Sequence, residues 1–362
     1  MKLITQAKAI FEKHKEHWLT IAFIGGFIVD NITLNRVDQL FDQIILATYV
    51  TLAMGSLILL YAATAEKFPE KVNPFIRQYA PLVTQYAFGG LLSGMLIFYG
   101  RSGSWFTSWP FLLLILGVIY GNETIKDRVR RLIFNLAVLF VGIFSYVVLV
   151  VPVVTGVMGP WVFIGSGIIA LLIMILFIRV LRFFVPRFIE IHLRSLAFVI
   201  GTIFALFNIL YFTNIIPPIP LSLKDVGIYH GVVRYENGDY LLTYEKPEWW
   251  EFYRKDDAAF HYTLGDNVFC FASVFAPTRL ATDIYHRWER YDEDTKKWVS
   301  HGRLTYPISG GRGEGFRGYT LISNYREGTW RCTVETERGQ VLGSKKFTIE
   351  AGPQGELITR VE

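Results

Sequence analysis

The side chains best suited to chemistry in this chain are arginines in its C-terminal third. Arg287, Arg312, Arg317 and Arg331 stand with His286 and Tyr319 in short stretches rich in Gly and aromatic residues. A guanidinium makes paired hydrogen bonds to a carboxylate or a phosphate, so such a group suits an anionic ligand or partner. Strand alternation puts His286 and Trp288 on one face and Arg287 and Glu289 on the other. With Trp288 in the core, Arg287, Arg317 and Arg331 are expected to converge on an outer sheet face. The Gly310–Gly318 loop, with Arg312 at its tip, would offer backbone N–H groups to the same anion. A purely structural reading stands beside this one, in which the arginines pair across strands with Glu289, Asp292, Glu314 or Glu335.

Other chemistries find less support. The sequence has no GxSxG, HExxH or GxxxxGK[ST] pattern. Its seven histidines are scattered, so neither a metal nor a cofactor is expected. Trp249-Trp250 would serve as a sugar-stacking platform, rest on a membrane surface or cap a sheet edge. Polar groups inside apolar runs are Asp30, Gln85, Asn135 and Asn208. Asp30 has two readings: an ion pair with Arg101 near the membrane surface, or part of a proton or cation relay. Gly90 with Gly94, Gly117 with Gly121, and Gly165 near Gly167 have the spacing of close helix contacts. No internal repeat or matched pair of broken helices points to a transport site.

The elements that must carry these residues divide sharply. Hydrophobic residues make up 52% of the 362, and charged residues only 19%. Seven apolar stretches occupy residues 1–216: Trp18–Leu34, Ile44–Ala65, Tyr79–Tyr99, Trp105–Tyr120, Leu132–Val151, Trp161–Phe184 and Leu196–Ile216. Most approach the roughly 20 residues needed to cross a bilayer. If the N-terminus is cytoplasmic, three groups of inner residues are Lys67, Lys71 and Arg77; Lys126, Arg128, Arg130 and Arg131; and Arg179, Arg182, Arg187 and Arg194. Lys2, Lys8, Lys13 and Lys15 join them, and the outer loops hold only Arg36 and Arg101. That bias predicts seven spans with the C-terminal part outside. The first span is expected to stay as an anchor, because Val29-Asp30-Asn31-Ile32 offers no cleavage site. The basic residues sit as loop anchors, which argues against a nucleic-acid partner.

Past Pro217-Pro218-Ile219-Pro220 the pattern changes to period two. Residues 217–255 read as a junction carrying a hairpin, Val232–Tyr235 and Tyr240–Tyr244 around Asn237-Gly238. Residues 256–350 read as an all-β sandwich, with strands at Ala258–Thr263, Asn267–Phe275, Asp283–Tyr291, Lys297–Thr305, Phe316–Ser323, Thr329–Thr336 and Val341–Glu350. Residues 351–362 read as a frayed tail. The order Cys270, Trp288, Cys332, with Trp330 two residues before the second cysteine, resembles the immunoglobulin-type arrangement. That resemblance implies a Cys270–Cys332 bridge between sheets, permitted if the domain lies in an oxidising compartment. Two buried free thiols are the alternative.

Tyr285-His286-Arg287-Trp288, Gly310-Gly311-Arg312, Phe316-Arg317-Gly318-Tyr319, Gly328-Thr329-Trp330-Arg331, Gly339, Leu342-Gly343 and Phe347 carry a further resemblance. Over about residues 256–350 the chain resembles domain-of-unknown-function family 2914 of bacterial membrane proteins. The resemblance implies a bacterial inner-membrane protein with a periplasmic C-terminal domain, and it supplies no activity. The expected function is non-enzymatic: the outer domain binds an envelope glycan, a lipid or a protein partner through Arg287, Arg312, Arg317, Tyr319 and Arg331. A transporter or flippase with the sandwich as accessory is the alternative, and an intramembrane enzyme the third.

Overall fold

The computed structural model describes residues 28–30, 32–34, 36–103, 109, 110, 113, 117, 128–251, 253–263 and 265–362. Most of the first and fourth expected spans, with the Gly121 of the second glycine pair, therefore lies outside the described residues. The chain forms two compact units, the first drawn mostly from residues before Pro217 and the second mostly from Pro217 onward.

The first unit is helical: α1 (Leu40–Thr64), α2 (Asn73–Arg101), α3 (Arg128–Thr155), α4 (Pro160–Phe184) and α5 (Pro186–Phe212). All five are long and apolar enough to cross a membrane. At about 1.5 Å rise per residue, each exceeds the roughly 30 Å of hydrocarbon. The last helix differs from expectation. It begins at Pro186, one residue after α4, and stops at Phe212, so Arg187 and Arg194 lie within its helical turns and Ile216 lies beyond it. Pro186 at the first helical position explains the early start, since its missing N–H has no acceptor to lose there. Pro81 lies inside α2.

Glycines set the helix contacts. A Cβ on Gly90 would come within 2.4 Å of the Tyr49 ring, and one on Gly94 within 2.6 Å of Leu46. Thus α1 lies directly on the Gly90/Gly94 face of α2, the close approach that this spacing permits. Phe144 of α3 stacks on Phe204 and Phe207 of α5 at 5.8 and 4.7 Å.

The second unit is all β, in three layers. The strands are β1 (Ser222–Tyr229), β2 (Gly231–Arg234), β3 (Tyr240–Glu245), β4 (Ala259–Tyr262), β5 (Val268–Phe275), β6 (Ala281–Asp292), β7 (Lys297–Ser309), β8 (Phe316–Ile322), β9 (Gly328–Thr336), β10 (Val341–Ala351) and β11 (Leu357–Val361). They form sheets ordered β1-β5-β8, β4-β10-β9-β6-β7 and β11-β3-β2. One face of the middle sheet packs on the five-stranded sheet through Ile228, Val268, Cys270, Trp288, Trp330, Cys332 and Phe347. Its other face packs on the hairpin sheet through Tyr229, Phe271, Tyr240, Leu242 and Tyr244. This is why β5, Val-Phe-Cys-Phe-Ala-Ser-Val-Phe, is apolar without alternation: it is buried on both faces.

Cys270 and Cys332 are bridged, with Cα atoms 6.6 Å apart, joining the middle sheet to the five-stranded one. Trp288 lies opposite Cys332 on the neighbouring strand and is fully buried. The frayed tail expected after Ala351 is corrected: β11 pairs antiparallel with β3. It is held because Ile358 packs on the hairpin core, while Arg360 reaches Asp225 at 2.6 Å and the Tyr229 hydroxyl at 2.7 Å.

Candidate anion-binding site

The structure splits the expected arginine cluster in two. On the open face of the five-stranded sheet, Arg287 of β6 and Arg331 of β9 do lie together, but each is already occupied. Arg331 donates to Glu289 Oε2 at 2.6 and 2.9 Å. Arg287 sits 3.5 Å from Glu289 Oε1 and 3.1 Å from Glu335 Oε2, the latter an ion pair without hydrogen-bond alignment. Arg303 of β7 completes the row, donating to Glu335 Oε1 at 2.8 Å. The sequence Arg303–Glu335–Arg287–Glu289–Arg331 thus runs across three strands. Its ends are covered by aromatic rings, Tyr285 at 3.9 Å from Arg303 and Trp298 at 4.3 Å from Arg331. Both carboxylates are nearly buried and the guanidiniums about one-third exposed, so the row fixes strand register and contributes little net stability.

Arg317 does not join them, because β8 belongs to the middle sheet. It stands with Arg312 and Tyr319 beside the tip of the β2–β3 hairpin. Gly238, with φ +91°, allows the tight Asn-Gly turn. Asp239, bonded to Asn237 there, lies 3.5 Å from Arg317. The Tyr240 hydroxyl donates to the Arg317 carbonyl at 3.2 Å, and its ring meets Tyr319 edge to face. Arg312 approaches Gly238 from the neighbouring loop and has no carboxylate partner among the described residues. Arg234, at the end of β2 and 5.9 Å from the Tyr240 ring, adds a third guanidinium that sequence reasoning missed. Its signal was its place opposite Tyr240 in the hairpin. Glu236 and Glu314 belong to the same two loops, so the patch offers directed donors rather than a strong positive field.

Three glycine N–H groups of the Gly310–Gly318 loop are used within the chain. Gly310, Gly311 and Gly315 donate to Leu280, Ala276 and Arg312 carbonyls.

Two polar groups inside the β unit are structural. His286 is fully buried, its ring nitrogens bonded to the Thr320 and Tyr306 hydroxyls. Its ligand atoms and the sulfurs of Cys270 and Cys332 cluster within 4.8 Å, but the sulfurs are bonded to each other and are not free thiolates. Burial holds His286 down at about 3, against an ordinary 6.5. The unfolded chain therefore binds a proton below about pH 6.5 that the folded one refuses, and stability is lost as pH falls from 6.5 towards 3. We expect His286→Gln to flatten that acid limb in thermal melts. An unchanged limb would assign it to other groups. Elsewhere His230 and His261 bond the same carboxylate, Glu245, while Gln354 bonds His230. Beside them burial pushes Asp257 up to about 8. These contacts tie β3, β4 and the C-terminal segment together.

In the helical unit the polar residues are dispersed. Asp30 is fully buried and accepts a hydrogen bond from the Tyr49 hydroxyl at 2.6 Å. Gln85 is buried in α2. Asn135 of α3 donates to the Tyr61 hydroxyl at 3.2 Å, and Asn208 of α5 donates back to the Phe204 carbonyl.

The strands that carry both arginine groups, β6 to β10, have a family signature. Residues 281–349 match the family DUF2914, a protein of unknown function. The DUF2914 segment holds Trp288, Trp330, Cys332 and all five proposed binding residues. It excludes Cys270 and β5, the strand on which β8 pairs, so of the middle layer the segment holds only β8. No curated protein matches the chain. Among solved structures, a Pseudomonas fluorescens alkylpurine DNA glycosylase, AlkC, bound to DNA containing an abasic site analog, aligns at 11% identity over 88% of this chain and 100% of that one. Its TM-score is 0.19, below any shared fold.

Proposed function

We propose that this chain is a seven-span bacterial inner-membrane protein whose immunoglobulin-like periplasmic domain binds an anionic group of an envelope component or protein partner through Arg312, Arg317 and Tyr319. The observation that carries the reading is the contrast between the two arginine groups. Arg287 and Arg331 are neutralised by nearly buried carboxylates, whereas Arg312 is exposed without one among the described residues and Arg317 meets Asp239 only at 3.5 Å. A phosphate or carboxylate arriving between them gains charge-assisted hydrogen bonds without displacing a well-made pair. Placement outside the cytoplasm is supported by the disulfide and by the loop charges. A transporter or flippase with the β unit as accessory is the second reading, favoured by Asp30 buried inside the helical unit.

The test is a photoreactive residue in place of Glu314 in intact cells, with mass spectrometry of the adduct. A discrete adduct that disappears in R312A/R317A, while folding and expression persist, is the expected result. A protein adduct identifies a partner, and a glycan or lipid adduct an envelope ligand. No adduct from a folded protein, or one indifferent to both substitutions, overturns the proposal. Arg287→Ala should behave oppositely, lowering stability by about 1 kcal/mol because Glu289 and Glu335, both nearly buried, each lose one of their guanidinium partners, without touching the adduct.

A further inference from the structure

Among the large apolar side chains of the β unit, Trp249 and Tyr253 are the most exposed, at 82% and 69%, with Trp250 at 55%. All three stand on one loop between β3 and β4. Its ends are fixed: the Lys246 N–H donates to the Glu356 carbonyl, and the Asp257 N–H to that of Ile228. Inside it a 3₁₀ turn at Trp249–Glu251 is held by the Glu251 and Arg254 N–H groups and by an Arg254–Glu251 ion pair. The rings are therefore projected from a fixed base.

Three uses of such rings can be told apart. A sugar-stacking platform needs a shared flat face, but the two indoles meet at 82° with centroids 5.5 Å apart and present an edge against a face. Neither indole nitrogen has a protein partner among the described residues. Lys255, exposed beside them, has no carboxylate partner among the described residues. Apolar rings with polar edges and a neighbouring cation match the boundary between lipid headgroups and acyl chains, where Trp and Tyr concentrate. A bilayer is also always near. Helix α5 ends at Phe212 and β1 begins at Ser222, so the unit is tethered to a membrane-crossing helix by Thr213–Leu221.

We propose that Trp249, Trp250 and Tyr253 form an interfacial anchor that inserts into the lipid headgroup region, with Lys255 meeting lipid phosphate. The site is independent of the arginine patch and lies outside the DUF2914 segment.

The experiment uses the full chain in nanodiscs of phosphatidylethanolamine and phosphatidylglycerol. Trp249→Cys is labelled with an environment-sensitive nitrobenzoxadiazole, the native cysteines being bonded to each other. Glu293→Cys, on the exposed β6–β7 turn, is the reference. At position 249 the emission should shift to the blue, be quenched by nitroxide-bearing lipid and resist aqueous iodide. Position 293 should show none of this, and adding W250S/Y253S should return position 249 to water-like emission. Water-like emission at 249 with full iodide quenching overturns the proposal. So does a label shielded only in intact cells, which would assign the rings to another macromolecule.

Discussion

Replacing Cys270 and Cys332 together by alanine should lower the stability of the β unit by about 2–4 kcal/mol, the usual range for a loop of this length. The bridge spans 62 residues and joins two layers rather than two neighbouring strands. Without it the layers are still held by side-chain packing, chiefly Trp288, Trp330, Phe347 and Ile349 against Ile228 and Val268, and by the hydrogen bonds of His286 and Trp288 to Thr320. Those contacts survive in the double variant, so we expect a folded unit with a lower urea midpoint and faster proteolysis, not a collapsed one. Membrane insertion should be unchanged, since both cysteines lie outside the helical unit. An unchanged midpoint in the full-length protein, measured under oxidising conditions, would falsify the stabilising role of the bridge. Cys270→Ser alone should do at least as much damage, because it leaves a hydroxyl in a fully buried site and Cys332 as an unpaired thiol.

Much of this arrangement could be read locally. Strands β4 to β10 alternate or cluster β-formers between turn residues, and each falls within a few residues of its expected place. The Asn-Gly turn marked the hairpin for the same reason, since few residues tolerate its φ. Two strands were not legible. β1 carries Lys224, Asp225 and Gly227 and a register shift at Leu223/Asp225, which break its alternation. β11 has five residues, and its partner β3 lies more than a hundred positions earlier. Pairing at that range is written in no local pattern.

The arginines show the same limit from the side of function. Alternation states which face of a strand a residue occupies, and it placed His286 and Trp288 inward and Arg287 outward correctly. It does not state which sheet the strand joins. β6 and β9 are neighbours, so Arg287 and Arg331 meet. β8 pairs with β5 instead, which carries Arg317 to another layer. Apolar residues at every position of β5 but Ser273 were the available sign of a layer with neighbours on both sides, and hence of a third sheet.

Gly310→Ala is the substitution expected to cost most for the smallest change in size. A Cβ at that position would lie 1.6 Å from the Pro277 carbonyl oxygen and 2.8 Å from that of Ala276. Both obstacles are backbone, in the turn between β5 and β6, and neither can rotate away as a side chain would. The same turn receives the Gly310 and Gly311 N–H groups at Leu280 and Ala276, so relief of the clash also breaks the contacts that seat the loop. We expect a loss of about 3 kcal/mol or more, in the range of severe overpacking. Arg312 sits two residues on, so the adduct formed from the Glu314 position should vanish with it. Gly231→Ala is the matched control, because its Cβ would meet only the Thr243 side chain at 3.4 Å. It should remain within about 1 kcal/mol of the parent and keep the adduct. If Gly310→Ala is tolerated as well as Gly231→Ala, the loop does not lie against the β5–β6 turn. In that case the position of Arg312 beside the hairpin tip, on which the binding proposal stands, fails with it.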